Sequence, residues 1–526
     1  MEIILRYSGT FEEFLSELAL YVNIRVTDLG QGFAAAEVSD DMPAFLRSLP
    51  FIEDIELSKD IFLNETEDFI PCPSDPELRP KLYSGRGVIV GIIDTGIDYR
   101  DPRFRTADGR TRIISIWDQS IDGSPPAGFY EGSEYSAFRI NEALSSPDPK
   151  RIVPHTDFSG HGTAVAGIAA GNTFGAAYNS DIIVVKVRQA ENEYSKTTQI
   201  MKALRYIIDK ARSLRRPLAV NISYGMNEGS HRGDSLFESY ISAVSSEWKL
   251  SVIIPTGNEG AAGHHYEGRL NTGETLDIGF FTSAGIRSLY LSIWKNYIDE
   301  ISCELFLPGG ESTGVINRFS SPAFSAAGGL AISSVYGQPT RRSAAQEIFY
   351  DIRPAGRDIP AGAWELRMKA GSIGSGHIDI WLPTLEQVGA GTYFADPSDR
   401  LTMTIPSTCR KVIRTAGFDR ITGAAAAFSG RGAGCPDDIM PDIAAPAVNI
   451  SAPTPGGGIG SFTGTSFAAP FITGYAALLM EWGIVCGNSP FMYGEKLKAR
   501  LRLAATRDPS IRYPDPSTGY GKIFGI

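Results

Sequence analysis

Several continuous apolar runs recur through the middle of the chain, at 88–93, 182–187, 218–223 and 252–255. A strand with one face in water alternates apolar and polar residues, whereas a run that is apolar throughout fits a strand covered on both faces. Between these runs the period changes. Residues 198–213 place Ile200, Leu204, Ile207, Ile208 and Ala211 at helical spacing, and 234–248 do the same with Leu236, Tyr240, Ile241 and Val244. Strand alternating with helix predicts an α/β domain built on a doubly wound parallel sheet. A strand at 411–415 and a long apolar helix near 466–482 resume that pattern late in the chain.

Two stretches follow other rules. Near the start, strands at 3–7, 24–27, 33–38 and 52–57 are separated by helical patterns at 10–21 and 41–49. The order βαββαβ predicts a ferredoxin-like α+β unit over residues 1–63. Residues 61–80 carry several prolines and charges and read as a linker. Residues 266–398 hold short β-type runs at 275–281, 288–294, 302–307, 347–352 and 377–382, punctuated by Gly, Pro and Ser. They predict an inserted β-sandwich or jelly-roll module. The α/β domain is then 64–265 together with 399–526. The aromatic residues Tyr290, Trp294, Tyr297 and Trp381 of the insertion suit core packing, and a sugar-stacking face is the alternative.

Composition narrows the classes. Hydrophobic residues at 43% and charged residues at 21% describe a globular chain. The net charge of −11 argues against nucleic acid as a partner. No secretory signal pattern opens the sequence and no uninterrupted apolar run suggests a membrane span, so a cytoplasmic location is expected. The five cysteines, Cys72, Cys303, Cys409, Cys435 and Cys486, form no CxxC pair and read as reduced, mostly buried thiols.

Three short motifs carry the chemistry. Asp94 closes the first buried strand in Ile93-Asp94-Thr95-Gly96. It therefore lies at the carboxyl edge of the sheet, where open α/β sheets place their sites. His161 stands in Ser159-Gly160-His161-Gly162-Thr163, just before a helical run to Ala170 with Gly171 as its C-terminal stop. Ser466 opens the long apolar helix in Gly464-Thr465-Ser466-Phe467-Ala468. A helix N-terminus supplies free N–H donors to a developing anion. Each motif alone also fits a turn or a cap. Together they supply an acid, a base and a nucleophile in one of the known chain orders of a serine triad.

At these residues the chain resembles the subtilases, the subtilisin-like serine peptidases. The resemblance covers about 85–265 and 400–485. It implies Asp94, His161 and Ser466 as catalytic residues, and Asn258 as the side-chain oxyanion donor. It also implies that Ser223, Tyr224 and Gly225 pair with substrate backbone, with Pro255, Thr256 and Gly257 lining the same cleft; Pro441 to Pro446 resembles the segment shortly before the serine. The unit 1–63 resembles a subtilase prodomain, an intramolecular chaperone and inhibitor whose tail lies in the cleft; a permanent accessory domain is the alternative. The partners implied are a protein or peptide substrate and the chain's own cleaved prodomain, with no cofactor. No EF-hand-type loop points to calcium. A short prodomain with a β-rich insertion between Asn258 and Ser466 is similar to the Csp germination proteases of clostridial spores, which cleave the precursor of a spore-cortex hydrolase. Some members of that group are catalytically silent, so a silent binding regulator is the competing function.

Overall fold

The computed structural model describes residues 1–63, 66–70, 83–189, 194–340, 343–356, 358–433 and 440–524. At its centre is an eight-stranded sheet. Its spatial order is Ile443–Pro446, Ile413–Phe418, Leu250–Pro255, Leu218–Ile222, Ile89–Asp94, Asp181–Lys186, Ile113–Asp118 and Ser133–Ser136. Neighbours run parallel except the last pair, which is antiparallel.

The continuous apolar runs have the cause the pattern suggested. Ile89 and Ile93 join the core beneath the helices Thr197–Ser213 and Leu236–Val244. Val88, Val90 and Ile92 point the other way, to the helices His161–Ala170 and Thr465–Met480. A strand rotates successive side chains to opposite faces, so burial on both faces demands apolar residues throughout. The helix Thr465–Met480 and its continuation to Val485 form a segment long and apolar enough to cross a membrane, but most of its residues are buried in this core.

The N-terminal unit forms a four-stranded antiparallel sheet from Glu2–Tyr7, Val26–Gly30, Phe33–Glu37 and Ile52–Leu57, ordered second, third, first, fourth. Ile3 and Leu5 pack on its own helices, with Phe14 and Leu18. Ile4, Leu29 and Phe33 face the other way and share a core with the helices at Thr197–Ser213 and Leu236–Val244. Phe33 meets Tyr240 edge-on at 5.5 Å.

Between Asn258 and Ser466 the chain builds two antiparallel sheets. The six-stranded sheet runs His265–Arg269, His377–Trp381, Leu289–Asn296, Ala345–Pro354, Leu330–Tyr336, Ala323–Ala327. The five-stranded one runs Ser312–Ile316, Ile301–Phe306, Gly362–Ala370, Thr275–Thr282, Tyr393–Phe394. Leu291, Ile293 and Ile348 of the first meet Phe280, Leu366 and Met368 of the second in a separate core.

Several elements differ from the sequence reading. Ile113–Asp118, Ser133–Ser136 and the helix Ala137–Leu144 were not read. Gly362–Ala370 alternates cleanly in burial, yet its Glu, Arg, Met and Lys are good helix formers and hide the strand. Gly171 has φ −64°, so the helix at His161 ends without a left-handed residue. The stretch expected as a linker begins with two strands, Asp60–Leu63 and Thr66–Ile70, while 71–82 lie outside the described residues. Among the described cysteines Cys303 and Cys409 are buried, Cys486 is exposed, and all three are free thiols; Cys72 and Cys435 lie outside the described residues.

Candidate active site

Asp94 is the last residue of the strand Ile89–Asp94, and His161 is the first of the helix His161–Ala170. The two are joined by His161 Nδ1 and Asp94 Oδ1 at 2.6 Å, both side chains being buried. A buried carboxylate accepts Nδ1–H, which fixes the tautomer and leaves Nε2 as the proton-accepting atom. The turn into this helix passes through Gly160 at φ 82°, where an added Cβ would lie 2.8 Å from Pro455.

The sequence reading missed the residue that clamps this pair. Asp157 accepts from Thr163 N–H at 2.8 Å, Thr163 Oγ1–H at 2.6 Å, Gly160 N–H at 3.1 Å and Thr95 Oγ1–H at 2.8 Å. It ties the first turn of the histidine's helix to the residue after Asp94. A carboxylate at a helix N-terminus satisfies orphan N–H groups and the helix dipole together. Its position four residues before His161 was the available signal. Behind it stands a second pair, His155 Nδ1 with Asp118 Oδ2 at 2.6 Å, and His155 Nε2 accepts from Ile97 N–H at 3.1 Å. Burial works against the Asp118 charge, but the His155 bond and charge, the Ser120 bond and the Lys186 charge together outweigh it and hold the carboxyl below its usual range.

Ser466 is the second residue of the helix Thr465–Met480, and the cap position is Gly464, which has no side chain to cap with. The plain capping role for Ser466 is thereby removed. Ser466 Oγ is buried and has no hydrogen-bond partner among the described residues. Buried hydroxyls are nearly always paired, so such an atom marks either strain or chemistry. Phe467 places this helix start against His161, their rings 5.1 Å apart. Asn258 is oriented from its carbonyl end: Oδ1 accepts from Thr465 N–H at 3.0 Å and Thr465 Oγ1–H at 3.1 Å. Its Nδ2 is buried with no partner among the described residues.

The loop before Asn258 supports it. Gly257 takes φ 85°, a value that favours glycine. Thr256 N–H donates to Thr415 O and Thr256 O accepts from Thr404 N–H, both at 3.0 Å, and Gly257 O accepts from Gly430 N–H at 2.9 Å. Pro255 ends the strand below. These main-chain bonds hold the loop that carries Asn258. Ser223, Tyr224 and Gly225 sit at the cleft edge. Ser223 is fixed from below by Asn221 Nδ2–H at 2.7 Å, and Asn221 Oδ1 accepts from Thr473 Oγ1–H of the serine's helix at 3.2 Å.

A strand already occupies this edge. Asp60–Leu63 lies between two others, with Ile61 opposite Ser195, Phe62 opposite Gly225 and Leu63 opposite Tyr224, all antiparallel. Thr66–Ile70 then pairs with Gly458–Thr463, Thr66 standing opposite Thr463. The chain thus approaches the Ser466 helix start from both sides. Asn64 and Glu65 lie outside the described residues.

Among the described residues no group of three or more His, Cys, Asp or Glu side chains could hold a metal ion.

A parallel sheet that brings an Asp–His pair to the start of a serine-bearing core helix defines the subtilisin-like class. A family model described as the subtilase family (Peptidase_S8) matches residues 85–346 and 386–521, and the chain belongs to that family. It is similar to the solved structure of the Clostridium perfringens CspB protease, with 36% identity and a TM-score of 0.78, covering 84% of this chain and 92% of that one. Among curated proteins it is 27% identical over 198 residues to subtilisin-like protease 3 of Trichophyton equinum, covering 37% of this chain and 39% of that protein. It is also 26% identical over 144 residues to the subtilisin-like protease PopC of Myxococcus xanthus, covering 27% of this chain and 25% of that one. The chain therefore spans well under half the length of these curated relatives.

Proposed function

We propose that the chain is a serine endopeptidase made as a self-processing proenzyme. In this reading Ser466 Oγ attacks a peptide carbonyl while His161 Nε2 takes its proton, and Asp94 steadies the resulting imidazolium. The oxyanion is met by Asn258 Nδ2–H and by the Ser466 N–H at the helix start. The proton then passes from His161 to the leaving amine, and water repeats the sequence on the acyl-enzyme. Leaving Ser466 Oγ and Asn258 Nδ2 unpaired in a buried site makes sense if both are kept for a reacting group.

The single observation that carries self-processing is the register of the tail. Phe62 and Leu63 pair with Gly225 and Tyr224, and Thr66 pairs with Thr463, three residues before Ser466. Edge-strand pairing is how an extended peptide is held for cleavage. The proposed cut falls between Leu63 and Thr66, made in cis, and the unit 1–63 remains as a noncovalent inhibitor through its shared apolar face. The test is to express wild type and Ser466→Ala separately and measure both masses. Wild type should give two fragments and Ser466→Ala one chain of 526 residues. An uncut wild type that also escapes a fluorophosphonate probe would favour the silent regulator; a cut Ser466→Ala would assign the cut to another protease.

The likeness to CspB supports a narrower role, a germination protease that is spore-associated and activates the precursor of a spore-cortex hydrolase. Incubating the processed enzyme with such a precursor and following its mass tests this.

A further inference from the structure

Among the contacts the tail makes upstream of its paired strand, those of Lys59 are not used by the peptidase mechanism. Lys59 is gripped by its main chain on both sides: its N–H donates to Thr197 Oγ1 at 3.0 Å, and its carbonyl accepts from Thr197 N–H at 2.8 Å. This fixes where the side chain goes. Its ammonium lies 3.7 Å from Glu228 Oε1 and donates to the Glu228 carbonyl at 3.4 Å, with only 13% of the side chain exposed. Burial opposes the charge, but Glu228, Glu56, Glu347 and Glu238 outweigh it and hold the ammonium protonated well above its ordinary range.

The carboxylates come from three parts of the fold. Glu56 belongs to the N-terminal sheet and Glu228 to the α/β domain. Glu347 lies on the strand Ala345–Pro354 of the two-sheet module, where Oε1 accepts from Ser292 Oγ–H at 2.6 Å. When the N-terminal unit leaves, Glu56, Asp60 and Lys59 leave with it, and Glu228 and Glu347 stay. Burial drives the Glu228 carboxyl up to about 7; Lys59 pulls it down, while Glu347, Asp60 and Glu56 push it further up. The site therefore gains from a cation. A second observation points to the same place. Tyr290 is 7% exposed and its hydroxyl has no partner among the described residues. Its charged neighbours are Glu228, Glu259, Asp60 and Glu347. A buried unpaired hydroxyl beside half-buried carboxylates is costly to keep unless an incoming polar group uses it.

We propose that Glu228, Glu347 and Tyr290 form a substrate subsite for a basic side chain, at the position two residues before the one that pairs with Ser195. Lys59 fills that subsite in the uncut chain. The subsite rests on the endopeptidase reading, and it gives the two-sheet module a part in selecting substrates. A peptide bound at the edge strand is pinned at this position by Thr197, so a lysine or arginine there meets two carboxylates, while a glutamate meets repulsion.

The test uses the self-processed enzyme, separated from its noncovalently bound N-terminal unit, at pH 8 and low salt, where the carboxylates are charged and weakly screened. Its substrates are peptides of residues 57–68, carrying Lys, Arg, Ala or Glu at the Lys59 position. The Lys and Arg peptides should exceed the Ala peptide in kcat/KM by about tenfold, the ratio that one moderate charge contact supplies. The Glu peptide should be poorest. In Glu228→Gln with Glu347→Gln the Lys-to-Ala ratio should fall to about one. Equal cleavage of the Lys and Ala peptides by wild type would overturn the subsite alone and reduce Lys59 to a docking contact. Cleavage of none of the four would overturn the peptidase reading and the subsite with it.

Discussion

Asn258 is held by its carbonyl oxygen, and its amide nitrogen has no hydrogen-bond partner among the described residues. That division of one side chain is what an oxyanion donor needs, because a donor that must first break a bond contributes less. Asn258→Ala should therefore lower kcat by about 10²–10³ with KM little changed. Steady-state kinetics on a peptide would check this; a loss entirely in KM would remove the assigned role. The same reasoning applies to Asp157, whose oxygens hold Thr95, Gly160 and Thr163. Asp157→Ala should lower both kcat and Tm, since the His161 helix start then loses its anchor to the strand that ends in Asp94.

His161 and Ser466 ride on two helices, and those helices touch through glycine. Gly474 of Thr465–Met480 faces His161–Ala170 so closely that an added Cβ would lie 2.6 Å from Ala169 O and 2.9 Å from Ala176 Cβ. The obstacle at Ala169 is backbone, which cannot swing aside as a flexible side chain can. Gly474→Val should destabilise the protein by about 1–3 kcal/mol through overpacking. It should also lower kcat, because Ser466 and His161 ride on the two helices being forced apart. Thermal unfolding together with kinetics would check both, and an unchanged Tm would show that the helices can separate freely.

At the scale of the molecule, the α/β domain and the two-sheet module are joined by a histidine-rich seam. Trp381 is stacked between His231 at 4.2 Å and His265 at 4.7 Å. This sandwich removes Trp381 from any sugar-binding face. Asp379 meets His265 Nε2 at 3.1 Å, His377 Nε2 at 2.9 Å and an Arg232 N–H at 3.2 Å. His231 is fully enclosed. Burial lowers its pKa to about 4, the carbonyls of Asn227 and Met403 pull it up, and His265 adds to the lowering. The unfolded chain binds that proton near pH 6.5, well before the folded one does. His231 therefore contributes stability that is full above about pH 6.5 and is lost as the pH falls toward 4. His377 runs the other way: its bond to Asp379 raises its pKa, so its contribution is present in acid and fades as the pH rises. Comparing Tm against pH for wild type and His231→Gln isolates the first effect. The wild-type curve should fall more steeply between pH 6.5 and 4, and parallel curves would sink the argument.

The chemistry-bearing residues were legible in the sequence because each sits at a local structural signal. Asp94 ends an apolar run, His161 follows a glycine at a helix start, and Ser466 opens an apolar helix; each signal is set within a few residues. The order of the first strands and helices was legible for the same reason. What the sequence could not decide was which long-range partners those residues would meet. Asp157 reaching Thr95, and Thr473 reaching the Asn221 beneath Ser223, act across many positions of chain, through contacts that leave no periodic mark. The stretch 61–70 read as a linker because its polar and acidic residues would make a poor core strand. Its two strand segments, Asp60–Leu63 and Thr66–Ile70, form on edges supplied by distant parts of the chain. Propensity is a local quantity and strand pairing is not, so only the tertiary structure could bring Lys59 to Glu228 and Glu347.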